Sequence, residues 1–363
     1  FKTPIIMVGV FYFYTMIDYI IVGSGLAGIA FAETALQNQK EIVVIDNNQN
    51  ASSKVAGGLY NPVILKRFTA VWNAQEQLSL LDHFYSGIQA KLNHQFDYRK
   101  PILRKFFSIE EQNNWFIAAD KDALAPFLST KLRTDNFKGI DAPYSYGEVL
   151  NTGYIDVESL LSHYRNYLET QNLLHTEIFN YDVLMPHESF VKYKNIKAKH
   201  IIFAEGFGMH QNPMFNDLPL DGVKGELFII KVPELSLDVI VNTSVFILPL
   251  GNSLFKVGAT YNWNDKTNTP TQEGKQELID RIKEILTCDF EIVSHYAGVR
   301  PTVKDRKPLV GTHREFSNVH ILNGLGTRGV MLGPAMAKAL FDHIEHGIPL
   351  APEINIKRFD KRK

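Results

Sequence analysis

The chain is nearly free of cysteine. Cys288 stands alone among 363 residues, which excludes an internal disulfide framework and fits a reducing compartment. An excess of charge of one sign is also lacking. Lys and Arg total 38 against 39 Asp and Glu, a formal net charge of −1, so nothing general draws the molecule to nucleic acid or to an anionic membrane. The 12 histidines are scattered without a spacing such as H-E-x-x-H, and no metal site is expected. Long apolar runs are missing too. Phe1–Met16 is strongly apolar, with Lys2 its only charge, but Asp18 interrupts the run short of the roughly 20 residues that a membrane-spanning helix needs. No small-residue cleavage site precedes the strand that follows. Met16 is the expected functional start, with 1–15 an extension of unknown role, and a soluble cytoplasmic protein is expected. Repeats and low-complexity segments are absent.

What is present begins with Ile17-Asp-Tyr-Ile-Ile-Val-Gly-Ser-Gly-Leu-Ala-Gly28. Tyr19–Val22 reads as a buried strand, and Ile29–Leu36 continues as an apolar, alanine-rich helix. Between them Gly23, Gly25 and Gly28 have the spacing G-x-G-x-x-G of a dinucleotide-binding turn. Gly23 permits the tight turn, and Gly25 lets the N–H groups around Leu26 and Ala27 approach a pyrophosphate at the positive helix terminus. Gly28 lets the helix lie close on the sheet. A second strand, Glu41–Ile45, ends in Asp46, 18 residues past Gly28, where an acid that binds the ribose belongs. An ordinary βαβ unit without nucleotide is the competing reading.

A chain of this length suggests two domains. After Asp46 comes a polar loop, Asn47–Lys54, containing Asn47 and Ser53. Val55-Ala-Gly-Gly-Leu-Tyr-Asn-Pro62 follows. Its Gly57, Gly58 and Leu59 suit backbone contact along an extended cofactor, or equally a flexible surface loop. Gln75–Leu92 has helical periodicity, Phe96–Phe107 alternates like a strand, and Val157–Thr170 is amphipathic. Thr176–Asp182, Phe190–Tyr193 and Lys199–Phe203 read as β, the last ending in the small turn Ala204-Glu-Gly206. Val223–Val232, Val239–Leu248 and Leu254–Ala259 are successive strand candidates for an antiparallel sheet, and Glu273–Leu286 is a helix. Ala297–Pro301, Asn318–Leu322 and a helix over Gly333–His343 read as a return to the first domain. The expected class is α/β with an α+β second domain: 16–61, 147–215 and 297–350 form a Rossmann-like domain, and 62–146 with 216–296 form a domain on a large mixed or antiparallel sheet.

Three separated motifs, in this order and spacing, resemble the FAD-dependent D-amino-acid oxidase family, which includes glycine and sarcosine oxidases. They are the opening fingerprint with Asp46, Gly298-Val-Arg-Pro-Thr-Val-Lys-Asp-Arg-Lys-Pro-Leu-Val-Gly311, and Asn323-Gly-Leu-Gly-Thr-Arg-Gly-Val-Met-Leu-Gly-Pro334. The resemblance runs from Ile17 to about His346 and implies FAD rather than NAD. It assigns cofactor contacts to Gly23, Gly25, Leu26, Ala27, Gly28, Asp46, Asn47, Ser53, Gly57, Gly58, Leu59, Val183, Ala204 and Gly206. The last loop adds Gly324, Gly326, Thr327, Arg328, Gly329 and Val330, passing the pyrimidine edge of the flavin. Glu205 stands where the family often has a second small residue. Sarcosine-type relatives attach flavin through a cysteine, and Cys288 lies outside the matching position, so the implied FAD is non-covalent.

The same resemblance matches Arg300 to the arginine that grips a substrate carboxylate. A planar guanidinium holds a carboxylate bidentately and orients the neighbouring C–H bond. Tyr261, after the Leu254–Ala259 strand, either offers a second hydrogen bond in that pocket or is a packed tyrosine at a strand end. The activity implied is oxidation of the C–N bond of a small carboxylate-bearing amine: a D-amino acid, glycine or an N-substituted glycine. A second activity comes from Gly57–Pro62 and Gly326–Gly329, which look like the oxidase domain of the bifunctional enzyme that makes 5-methylaminomethyl-2-thiouridine in tRNA. That domain removes a carboxymethyl group from a modified uridine. The 363 residues hold no methyltransferase domain and no net positive charge, although Lys54, Lys66 and Arg67 offer a local basic rim for tRNA. The third alternative is a non-catalytic FAD-binding protein.

Overall fold

Strand β1 (Ile17–Val22) has its last four residues buried, as expected for a β-branched run in the middle of a parallel sheet. The computed structural model describes residues 16–49 and 52–360; the apolar segment 1–15 lies outside them. β1 is flanked in parallel by β2 (Ile42–Ile45) and by the strand Ile196–Phe203. Leu174–His175 extends the sheet beyond β2, and Val319–Asn323 extends it beyond Ile196–Phe203, both in parallel. Val22 lies opposite both Ile45 and Phe203, and Phe203 opposite Ile321. The carboxyl ends are therefore nearly flush, the edge at which open α/β sheets bind ligands.

Helix α1 (Leu26–Gln37) starts at the glycine turn, three residues before the expected Ile29, because Gly25 is already its N-cap. It buries Ile29–Ala35 between the sheet, the closing helix Gly329–His346 and α2 (Ala74–Leu92). Glu33 is buried in this layer. Lys91 from α2 pairs with it at 2.6 Å, and the Tyr164 hydroxyl donates to it at 2.9 Å. The closing helix starts at Gly329, before the expected Gly333, and runs through Pro334. A proline inside a helix has no N–H for the carbonyl four residues earlier, here that of Val330. The buried hydroxyl of Tyr85 on α2 donates to that carbonyl at 3.0 Å, so the group freed by the proline is not orphaned.

The second large sheet has eight strands. Their order is Glu291–Val303, Leu220–Lys231, Leu254–Gly258, Phe246–Gly251, Ile240–Asn242, Ile102–Lys105, Tyr146–Val149 and Leu128–Arg133. Only the pairing of Ile240–Asn242 with Ile102–Lys105 is parallel. Phe228, Ile230, Val241, Ile247 and Val257 bury one face under Leu278 and Ile282 of the helix Gln272–Lys283.

Three sequence expectations are corrected here. Residues 147–149 and Ala297–Pro301, expected in the first domain, pair within the second sheet, where Gly147 lies opposite Arg104 and Arg300 opposite Val223. Helix α2, assigned to the second domain, packs on α1 and the closing helix. Thr176–Asp182 is not a strand: a 3-10 turn occupies Tyr181–Val183, and Asn180 caps it through its side chain. Local apolar pattern cannot decide which sheet a short β run joins, because both sheets demand the same residues.

Candidate active site

The glycine turn is tight for two measurable reasons. Gly23 has φ of +102°, and a Cβ there would lie 2.6 Å from the Ala204 carbonyl oxygen. The N-cap Gly25 offers no side-chain cap to α1, and the first turn holds no acid. The Ser53 hydroxyl accepts the Leu26 N–H at 3.3 Å. A helix N-terminus without an acid of its own favours an anion.

From that terminus a cavity of about 490 Å3 extends between the two sheets. One end is walled by Gly25, Leu26, Ala27 and Ser53, followed by Gly57, Gly58 and Leu59. Ala204 and Gly206 come from the turn after Ile196–Phe203, and Gly326, Thr327, Arg328, Gly329 and Val330 from the last loop. Arg300 and Tyr261 close the second-sheet side. Most of the expected site residues, drawn from six separate stretches of chain, thus share one cavity.

The others lie off its wall. Gly23 forms the turn, and a Cβ on Gly28 would overlap the Gly23 carbonyl. Asp46 is buried beside the turn, accepting the Ser24 N–H at 2.9 Å and the Asn48 N–H at 2.6 Å, with Arg165 at 3.3 Å. Asn47 bonds locally to Gln49, Val183 packs against the apolar cluster of the first sheet, and Gly324 lines a smaller neighbouring recess. Glu205 does reach the cavity wall, but its carboxylate accepts from the Tyr181 hydroxyl and from Asn212 at 2.7 Å. Burial pushes its carboxyl above the ordinary range.

Arg300 is the unusual charge. Its one hydrogen bond among the described residues runs from Nη1 to the Thr260 carbonyl at 3.2 Å, and its guanidinium stands over the Tyr261 ring at 4.9 Å. Among the described residues it has no carboxylate partner. Burial lowers its pKa from the ordinary arginine value, and that of Arg328 as well. An enclosed cation without an anion is costly, and an anionic ligand in the cavity would offset that cost. The neighbouring strand gives way to it. A Cβ on Gly225 would overlap the Arg300 guanidinium, so only glycine leaves the fork its place.

Sequence reasoning missed Gly225, Asn242, Phe246 and Asn268 on the cavity wall. A glycine inside the β-branched run Val223–Val232 was a readable signal for close approach of another group. The others carry no local signal.

A family model described as FAD dependent oxidoreductase (DAO) matches residues 18–343. The chain belongs to that family. Glycine oxidase of Bacillus subtilis (strain 168) is 26% identical over 219 residues, spanning 56% of this chain and 59% of that protein. The tRNA 5-methylaminomethyl-2-thiouridine biosynthesis bifunctional protein MnmC of Marinobacter nauticus is 22% identical over 360 residues, covering 90% of this chain and 55% of that protein. The chain thus spans a little over half the length of these curated relatives. Among solved structures, glycine oxidase from Geobacillus kaustophilus has a TM-score of 0.75 at 16% identity, covering 93% of this chain and 98% of that one. Iminodiacetate oxidase from Chelativorans sp. BNC1 has a TM-score of 0.74 at 16% identity, covering 94% and 98%. These likenesses establish the oxidoreductase fold.

The residues present fit the family's FAD. The cavity starts at a helix N-terminus whose N-cap is a glycine, a place suited to a pyrophosphate, and Gly25, Gly57, Gly58, Gly206, Gly326 and Gly329 line it. Among the described residues no helix is long and apolar enough to cross a membrane, and no cluster of His, Cys, Asp or Glu is arranged to hold a metal ion.

Proposed function

We propose that the chain oxidises the C–N bond of a small amine bearing a carboxylate, such as a D-amino acid, glycine or an N-substituted glycine, with non-covalent FAD along the cavity. The observation that carries this reading is Arg300, an enclosed guanidinium with no anion of its own on the cavity wall. FAD bound there supplies the acceptor for the hydride leaving the substrate carbon, so no strong protein base is required. Arg300 grips the carboxylate with both arms of its fork and fixes the direction of the C–H bond. Tyr261 offers its hydroxyl to the same carboxylate. Gly329 and Val330, at the start of the closing helix on the cavity wall, would hold the cofactor there, and a helix N-terminus would favour negative charge at that point. The substrate nitrogen gives up its proton as the C=N bond forms, and water then hydrolyses the imine.

A second reading takes the carboxymethyl group of 5-carboxymethylaminomethyl-uridine in tRNA as the substrate. It is supported by the match over 90% of the chain to a relative named for tRNA 5-methylaminomethyl-2-thiouridine biosynthesis. That group is also an N-substituted glycine, so Arg300 has the same task.

The test is anaerobic flavin reduction by stopped flow, with glycine, sarcosine, D-amino acids and carboxymethylaminomethyl-uridine as substrates. Arg300→Lys keeps the charge and loses the fork. The limiting rate of reduction should fall together with affinity, and the advantage of an acid over its methyl ester should disappear. Equal discrimination by wild type and variant would remove Arg300 from carboxylate recognition. A flavin that no amine reduces would favour the non-catalytic alternative.

A further inference from the structure

Arg300 has a companion on the cavity wall. Arg328 lines the same space, and among the described residues its side chain has neither a carboxylate partner nor a hydrogen bond. Burial lowers the pKa of both guanidiniums, and no carboxylate is near enough to raise either. By contrast, Lys224 and Arg104, also largely buried, each hold a carboxylate, Asp265 and Glu111.

The two arginines come from elements that touch. Arg300 lies on the strand Glu291–Val303, and Arg328 ends the 3-10 turn Gly326–Arg328. A Cβ on Gly326 would stand 3.7 Å from Thr302 Oγ1 and 4.0 Å from the Pro301 carbonyl oxygen. Tyr261 is the common neighbour of both guanidiniums. It belongs to the aromatic loop 261–269, which also carries Trp263. That loop is fixed from below. The side chain of Lys224, 0% exposed, ion-pairs with Asp265 and donates to Thr267 Oγ1 at 3.2 Å. The Asn262 N–H and carbonyl bond in turn to the Lys224 backbone. On the outer side Arg306 adds a third positive charge, which lowers the pKa of Arg328 further. Its neighbour Asp305 offers no relief, being paired with Arg358 at 2.9 Å.

We infer that the preferred substrate carries two acidic groups, one read by Arg300 and the other by Arg328, which is thereby a specificity-determining residue. The inference rests on the amine-oxidation reading above. It narrows that reading to amines with a second carboxylate, such as acidic D-amino acids and N-(carboxyalkyl)glycines. One carboxylate offsets the cost of one enclosed cation and leaves the other standing. A second carboxylate on the same molecule meets it. A guanidinium also separates an acid from its amide of the same shape. The acid presents two acceptor oxygens to the fork, whereas the amide presents one oxygen and an NH2 group that faces donors only.

The experiment uses the FAD-loaded enzyme and two pairs matched in shape. They are D-glutamate with D-glutamine, and N-(carboxymethyl)glycine with its monoamide. Anaerobic stopped-flow reduction gives an apparent Kd for each, alongside glycine and sarcosine. In at least one pair the diacid should bind about tenfold more tightly than its amide, as a charge-assisted bond implies. The pair that shows it tells whether the second acid is carried on carbon or on nitrogen. Thiodiacetate and its monoamide, which have no amine to oxidise, should show the same preference by flavin difference spectra. Arg328→Gln should abolish the preference, and Arg328→Lys should keep part of it through its charge. Equal affinity for acid and amide in every pair, or a preference that survives Arg328→Gln, overturns the inference. So does an Arg328→Gln protein that folds but no longer retains FAD, because the cofactor is then the anion that Arg328 serves. Reduction by glycine or sarcosine with no preference for a diacid removes this inference and leaves amine oxidation in place. Reduction by no amine, with thiodiacetate still preferred over its monoamide, removes amine oxidation and leaves the site for two anions.

Discussion

Glu33 in the helical layer and Arg300 at the end of the cavity are both charges enclosed by protein, and the fold treats them in opposite ways. Glu33 has a lysine from α2 on one side and a tyrosine hydroxyl on the other. Arg300 has one backbone carbonyl and the face of a tyrosine ring. In the first region buried polarity is matched internally, as a core requires. In the second a cation has no internal counter-charge among the described residues, and the proposed substrate carboxylate would bring one.

The largest expected effect lies on the matched side. Glu33→Ala leaves the buried Tyr164 hydroxyl without its acceptor and the solvent-accessible Lys91 without its partner, and should lower stability by about 1.5–3 kcal/mol, read from denaturant unfolding. Removing the Arg300 side chain should cost less stability, because it frees only the Thr260 carbonyl and leaves no charge unpaired. If Arg300→Ala proved as destabilising as Glu33→Ala, the contrast between the two regions would collapse.

Gly225→Ala probes the unmatched side without touching a charge. The added methyl takes the place of the Arg300 guanidinium and must displace it, so substrate turnover at limiting concentration should fall by roughly 100-fold, the cost of a misplacement of about 1 Å, while FAD affinity holds. That split is measured by flavin titration against flavin reduction. Loss of both together would mean that the strand has shifted, rather than the arginine alone. Tyr85→Phe returns to the helical layer. It leaves the Val330 carbonyl freed by Pro334 without a donor, at a cost of about 1–3 kcal/mol in unfolding free energy.

The smallest effect is a pH dependence. Asp265 is held at a pKa of about 2, below its ordinary 3.8, chiefly by the Lys224 ammonium and then by the Thr267 N–H and hydroxyl. A carboxylate with a depressed folded-state pKa adds stability that is full above the unfolded value and lost as pH falls through the folded one. Wild type and Asp265→Asn should therefore differ in melting temperature above pH 3.8 and converge as the pH approaches 2. Curves that stay parallel across that range would show that Asp265 does not anchor the aromatic loop by charge.

Much of the first sheet was legible because its signals are local. A β-branched run, three glycines at fixed spacing and a helix of small apolar residues occupy twenty consecutive positions and place the ligand edge. Val157–Thr170 matched its helix to the residue, since a 3.6-residue period over that length has no competing reading. The closing helix extends four residues before and three beyond the expected Gly333–His343. Its first turn reads as loop because Pro334 leaves the Val330 carbonyl unpaired locally, and Tyr85, 245 residues from Val330, supplies the donor.

The sequence by itself determined the dinucleotide turn, the order of its motifs and the resemblance built on them, because each depends on residues a few positions apart. Tertiary structure alone decided that the Arg300 strand pairs with Leu220–Lys231 in the second sheet, and that Gly225 opens the space for its guanidinium. It alone left that charge without a carboxylate partner among the described residues. Those facts depend on strand register and on close approaches between segments tens of residues apart, and no local propensity encodes them.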